Sequence, residues 1–169
     1  DSEFQRRDAL IDAIISLKDE HNRSLSPLFG RLNTSSISVG GFSKGGGGAQ
    51  LVANLDSSIK AIVALYPFID NPIVSDFDHN IPTLIVSGQL DVIAPPVQHA
   101  DIHYDLIPNS TKKLKYELAL GTHDALSGPF GGLNQVGERV LSWLGLFLEN
   151  DSCYCPLLDI TPSLSSQYI

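Results

Sequence analysis

The stretch Gly40-Gly41-Phe42-Ser43-Lys44-Gly45-Gly46-Gly47-Gly48 sets one serine and one lysine among glycines. Ile37 to Phe42 ahead of it is a short buried-type strand, and Ala49, Leu51, Val52 and Ala53 behind it continue at helical spacing to Asn54. The glycines therefore form a strand-to-helix turn. A phosphate loop requires Gly-Lys followed by Ser or Thr, whereas Lys44 here follows Ser43 and precedes Gly45. A dinucleotide turn requires an acid closing the next strand, and the run from Ile59 to Tyr66 closes on Tyr66-Pro67. Gly41-Phe42-Ser43-Lys44-Gly45 does satisfy Gly-x-Ser-x-Gly between strand and helix, the context in which a serine is raised on a strained turn. On that reading Gly41 and Gly45 are there because a Cβ at either would collide with the neighbouring strand and helix. The alternative is a glycine-rich helix entry packed closely on a sheet.

Working outward, IKAIVALY (59–66), TLIVS (83–87) and KLKYELAL (113–120) are dense in apolar residues, as strands covered on both faces are. Helices are predicted over Glu3 to Leu17, with Phe4, Ala9, Leu10, Ala13, Ile14 and Leu17 on one face, over His99 to Leu106, and over Gln135 to Leu148. Parallel neighbours need crossovers, so the alternation predicts an α/β fold: a parallel sheet of about four strands flanked by helices. A chain of 169 residues with 43% hydrophobic side chains supports one core, assigned to 1–150. The tail, 151–169, has no period, carries Pro156 and Pro162, and is expected to be an irregular arm.

A serine hydroxyl is a weak nucleophile and needs a histidine base and an orienting acid, in chain order Ser, Asp or Glu, His for this architecture. Asp91 lies in the loop after TLIVS and His123 in the loop after KLKYELAL, both at the C-terminal ends of their strands, where parallel sheets carry their sites. Asp70, Asp76 and Asp78 fall one strand too early, and Asp124 points away from its neighbour's ring; these are expected to be solvated charges. A formal charge of −8 argues against nucleic acid or an anionic membrane as partner. Neither the five histidines nor Cys153 and Cys155 have a zinc-like spacing, and no metal or cofactor is expected. Two cysteines one residue apart would close a strained ring, which favours free thiols or an intermolecular bridge. The chain opens at Asp1 with no charged head followed by an apolar run, so no export signal is expected in it.

GFSKGGGG, PTLIVSGQLDVIAP, GTH and WLGLFLEND, spread over Arg6 to Tyr154, resemble the bacterial cutinase-like polyester hydrolases, which include poly(ethylene terephthalate) hydrolases. The resemblance implies an α/β-hydrolase fold with Ser43 as nucleophile, His123 as base, Asp91 as its orienter and the backbone N–H of Lys44 as one oxyanion donor. It places Phe68 of Tyr66-Pro67-Phe68 where the family has an aromatic, commonly tryptophan, flanking the substrate. It implies an acyl-enzyme mechanism on carboxylic esters, polyesters among them, in a secreted protein. Two other readings stand beside it: a general carboxylesterase or dienelactone-hydrolase-like enzyme, and a weak or inactive hydrolase fragment acting as a binding module.

The departures from the family pattern carry expectations of their own. Family members have a long further segment ahead of the point matched by Asp1, which supplies the first strands, the other oxyanion N–H and a second aromatic, so the chain is expected to be a truncated α/β-hydrolase. Loss of one oxyanion donor, left unreplaced, costs about 100- to 1,000-fold in turnover. The Lys44 ammonium, where the family is apolar, either lies near the oxyanion or points to solvent. Strand 37–42 becomes a sheet edge, expected to self-associate or to be covered by the tail.

Overall fold

The computed structural model describes residues 2–126 and 134–169. Helix α1 (Glu3–Asn22) starts from a Ser2 cap, whose hydroxyl accepts the Gln5 N–H while the Gln5 side chain accepts the Ser2 N–H. Strand β1 (Ile37–Phe42) runs into helix α2 (Lys44–Leu51) through Ser43 alone. Strand β2 (Ile59–Leu65), strand β3 (Thr83–Gly88), helix α3 (Ala100–Leu106) and strand β4 (Lys113–Leu118) follow. Helix α4 (Gln135–Leu148), helix α5 (Cys155–Asp159) and strand β5 (Ser165–Tyr168) complete the order.

The sheet order is β1-β2-β3-β4-β5, with β1 to β4 parallel and β5 antiparallel to β4. The α/β alternation is as expected; the fifth strand is not. The tail, expected to be irregular, holds α5 and β5 instead. Lys115 exchanges both backbone hydrogen bonds with Ile169, and the Ala119 N–H donates to the Leu164 carbonyl. A strand of Ser165, Ser166, Gln167 and Tyr168 has no apolar run to announce it, and what fixes it is the open edge of β4. Because the tail closes that edge, it does not cover β1, contrary to one of the two expectations for that strand. Among the described residues β1 has one strand neighbour, β2.

The two faces of the sheet follow the pleat. On β2, Ala61 and Val63 join Leu84, Val86, Tyr116 and Leu118 beneath α4, where Val136 and Trp143 pack, and beneath Leu158 of α5. Ile62 and Ala64 face the other way. Ile62 packs with Val39, Ile14 of α1, Ala49 of α2 and Val52 at its C-terminal cap, while Ala64 packs with Ile85, Phe77 and Ala100 and Ile107 at the ends of α3. Every residue of β3 is buried, as a central strand's residues are.

Helix α1 buries a different face from the expected one. Ile14 is inside and Leu10 half-buried, but Phe4 and Leu17 are 45% and 44% exposed, and Glu3 is buried. The rotation has an electrostatic cause. Glu3 accepts the Asp70 N–H at 2.9 Å, and Lys18 reaches Asp56 at 2.7 Å, so polar anchors at both ends of the helix set which side meets the sheet.

Candidate active site

Ser43 sits where β1 ends and α2 begins, at φ 56° and ψ −124°. For a residue with a Cβ this is a sparsely populated conformation that costs about 1–3 kcal/mol, so the surroundings must hold it. The Ser43 N–H donates to the Leu65 carbonyl, and the Ser43 carbonyl accepts the N–H groups of both Gly47 and Phe68. The turn is thus tied to the end of β2 and to the loop beyond it.

The glycines explain how the turn fits. A Cβ on Gly41 would lie 2.3 Å from the Gly45 carbonyl, on Gly46 2.9 Å from the Gly41 oxygen, and on Gly47 2.0 Å from the Phe68 oxygen. At Gly48 it would meet the Cβ of Arg6 at 2.8 Å, so Gly48 lets α1 approach α2. Gly45 departs from the expectation: a Cβ there meets no described atom within 4 Å. The steric demand falls on Gly41 and on the three glycines after Gly45.

Two loops bring the partners. Gln89 N–H donates to the Leu118 carbonyl, Leu90 N–H to the Gly121 carbonyl, and the Gln89 side chain accepts the Leu120 N–H, so the loops after β3 and β4 are laced together. Gly88 permits this approach, since a Cβ on it would stand 2.5 Å from the Gly121 oxygen. Asp91, 4% exposed, accepts the Ile93 and Ala94 N–H groups on Oδ1, both at 2.8 Å. Its Oδ2 lies 2.7 Å from His123 Nδ1, and His123 Nε2 lies 3.1 Å from Ser43 Oγ. The structure therefore brings Ser43, His123 and Asp91 into one hydrogen-bonded series. Of the other acids weighed in the sequence, Asp76 accepts the Ile73 N–H, and Asp70 and Asp124 are exposed.

Lys44 is the first residue of α2, where backbone N–H groups have no acceptor within the helix and the helix dipole favours negative charge. Its Nζ stands 5.7 Å from the centre of the Phe68 ring. Phe68 is half-buried and stacks on His99, ring centres 4.4 Å apart. The residue that sequence reasoning missed is Phe42. It is 43% exposed and its ring centre lies 4.8 Å from that of His123. The strand's alternation carried the signal, because Gly41 packs inward at the turn and the next side chain points out beside the serine. Tyr66, at φ 48°, sets its ring edge-on to the imidazole, 6.0 Å away, and lies 5.9 Å from the Phe42 ring. Burial raises the pKa of its hydroxyl, and the Asp91 charge adds to the rise.

Two recesses meet at Phe42, and one of them reaches Ser43. One, of about 440 Å³, is lined by Arg6, Phe42, Ser43, Lys44 and Gly45. The other, about 250 Å³, is lined by Phe42, Leu65, Asp124 and Leu126. Among the described residues no three His, Cys, Asp or Glu side chains cluster as metal ligands, and no helix is long and apolar enough to cross a membrane. Cys153 and Cys155 are not disulfide-bonded to each other.

Comparison with known proteins gives a consistent result. A family model described as PETase, PET hydrolase-like, matches residues 1–168. Cutinase 1 of Thermobifida cellulosilytica is 36% identical over 138 residues, 81% of this chain and 50% of that protein. Cutinase 2 of the same organism is 33% identical over 159 residues, 94% of this chain and 56% of the relative. A bis(hydroxyethyl) terephthalate hydrolase of Streptomyces coelicolor is 33% identical over 136 residues, covering 78% of this chain and 42% of the relative. The chain spans about half the length of the curated relatives it matches.

Proposed function

This chain belongs to the PET hydrolase-like family, and on that premise we propose that it is a serine esterase that cleaves carboxylic esters through an acyl-enzyme. The observation that carries the reading is the contact series from Asp91 through His123 to Ser43. The Ser43 oxygen attacks the ester carbonyl as His123 Nε2 takes its proton. The C–O bond to the alcohol then breaks, and the alcohol leaves with that proton. Water attacks the Ser43 ester in the same way, His123 again taking and returning a proton, and the free acid departs. Asp91 holds the imidazole with Nδ1 protonated and Nε2 free to accept. The Lys44 N–H at the start of α2 donates to the oxyanion, and Phe68 and Phe42 offer ring faces to the acyl or alcohol part.

The finer reading is a polyester such as poly(ethylene terephthalate) or cutin. Its support is the family together with the shallow, aromatic-edged surface around Ser43. A solid polyester cannot enter a cell, so this reading carries secretion with it. The test is hydrolysis of soluble short-chain esters and of a polyester film by the purified chain and by Ser43→Ala. The expected loss in the variant is about 1,000-fold or more. Equal rates from the two proteins would overturn the esterase reading, and turnover of soluble esters alone would leave a general carboxylesterase.

A further inference from the structure

Tyr66 follows β2 at φ 48°, in the left-handed region that a bulky residue rarely adopts. Such a conformation persists only where the surroundings fix it, and here they do. Its N–H donates to the Val86 carbonyl, and Leu65 before it and Phe68 after it are bonded to the backbone of Ser43. The side chain is 1% exposed and lies against two glycines. A Cβ on Gly88 would stand 2.6 Å from the ring's Cε1, and one on Gly121 would stand 3.1 Å from its hydroxyl oxygen. Gly88 ends β3 three residues before Asp91, and Gly121 stands two residues before His123. One ring from the end of β2 is therefore lodged at the roots of the two loops that carry the acid and the base, edge-on to the imidazole at 6.0 Å. Its hydroxyl has no hydrogen-bond partner among the described residues, so the ring is what this position uses.

We propose that Tyr66 is a positioning residue for His123, and that its ring keeps the imidazole in place while Ser43 is acylated. The assignment rests on the esterase reading and states how the base is held through the second half of that reaction. Before the reaction the imidazole has two hydrogen-bonded contacts, Asp91 at Nδ1 and Ser43 at Nε2. In the acyl-enzyme the Ser43 oxygen belongs to an ester and has no proton to donate, and Nε2 must face the water whose proton it takes next. The imidazole then keeps a single hydrogen bond, to Asp91, about which it can swing. Two aromatic rings stand beside it, Phe42 and Tyr66. Phe42 is 43% exposed on a strand with one strand neighbour among the described residues, whereas Tyr66 is buried on a fixed backbone. Tyr66 is the firm contact that stays when the serine's is lost, and its effect falls on deacylation rather than on acylation.

The experiment follows hydrolysis of 4-nitrophenyl butyrate by the parent, Tyr66→Leu, Tyr66→Phe and Leu84→Ala, the last opening a cavity in the same buried cluster. Nitrophenolate leaves readily, so deacylation limits turnover; slowing it lowers kcat and KM together and leaves kcat/KM, which reports acylation, unchanged. Tyr66→Leu should lower kcat about tenfold or more, with kcat/KM within about threefold of the parent's and a burst of nitrophenolate. Tyr66→Phe, which keeps the ring, should restore kcat, and Leu84→Ala should show no such split. Unchanged kcat in Tyr66→Leu, an equal fall in kcat and kcat/KM, or the same split in Leu84→Ala overturns the assignment and, with the parent active, leaves the esterase reading standing. A second measurement needs no turnover. Ser43→Ala removes the serine's contact with Nε2, as acylation does, and NMR reads solvent exchange of the His123 Nδ1 proton. That proton should exchange about tenfold or more faster in Ser43→Ala/Tyr66→Leu than in Ser43→Ala, and Ser43→Ala/Tyr66→Phe should match Ser43→Ala. Tyr66→Met takes the place of Tyr66→Leu in both measurements if the latter does not fold. Equal exchange with and without the ring contradicts the assignment.

Discussion

Asp91 uses its two carboxylate oxygens for different tasks. Oδ1 fixes the loop by accepting two backbone N–H groups, and Oδ2 holds His123. Asp91→Asn can keep the first task through its amide oxygen. Its amide nitrogen then faces Nδ1 and stabilises the tautomer whose Nε2 carries a proton, which cannot accept one from Ser43. The expected outcome is a fall in kcat of about 10⁴ with the melting temperature nearly unchanged, checked by stopped-time ester assays beside thermal denaturation. The glycines make a second residue-scale test. Gly47→Ala drives a Cβ into the Phe68 carbonyl and should cost about 2 kcal/mol or more, whereas Gly45→Ala meets open space and should change stability by about 1 kcal/mol or less. Urea midpoints of the two variants check the order. At this scale Ser43, Asp91 and His123 could be picked out in the sequence because each follows a recognisable strand, and chain order suggests the parts proposed for them. The sequence did not display that Gly45 is sterically dispensable or that Phe42 stacks near His123, because both depend on how closely α2 approaches β1 and β2.

Helices and strands with an apolar period could be read from the sequence almost residue by residue, β1 and α4 among them. The two misreadings were elements placed by polar or backbone contacts. Helix α1 is turned by Glu3 and Lys18, and β5 is a polar strand recruited by an open edge. Ending the chain at Ser163 should therefore strip exchange protection from the amides of Lys115 and Ala119 and leave that of the β1 to β3 amides largely intact, as read by hydrogen exchange. Loss of the Tyr168 hydroxyl's bond to the Leu158 carbonyl, 2.6 Å, should loosen α5 in the same experiment. At the other end of the sheet, β1 has no strand on the side away from β2 among the described residues, and self-association is expected there. Light scattering across a concentration series should show a dimer forming; a monomer at every concentration would count against it.

At the scale of the whole molecule, acid sensitivity should come from the histidines packed between the sheet and α3. Burial holds His103 neutral, with its pKa lowered to about 3 and the neighbouring His99 adding to the shift; Gln50 bonds its Nδ1 and Phe77 lies against its ring. The unfolded chain binds that proton near pH 6.5, so stability is fully present above about 6.5 and is lost progressively as pH falls toward 3. Between pH 7 and 5 this one residue should cost about 2 kcal/mol, and His103→Gln should flatten the profile by about that amount in chemical denaturation. Those histidines lie beneath the ring of Phe68 rather than on Ser43, so acid should unsettle the floor of the site along with the core. The central claim is that the fold makes one serine alcohol reactive. Labelling with a fluorophosphonate, mapped by mass spectrometry, tests it most directly. Near-stoichiometric modification of Ser43 is expected in the folded chain and none in His123→Ala; a folded chain whose Ser43 stays unmodified, or is modified equally well without His123, would mean that the serine is not activated.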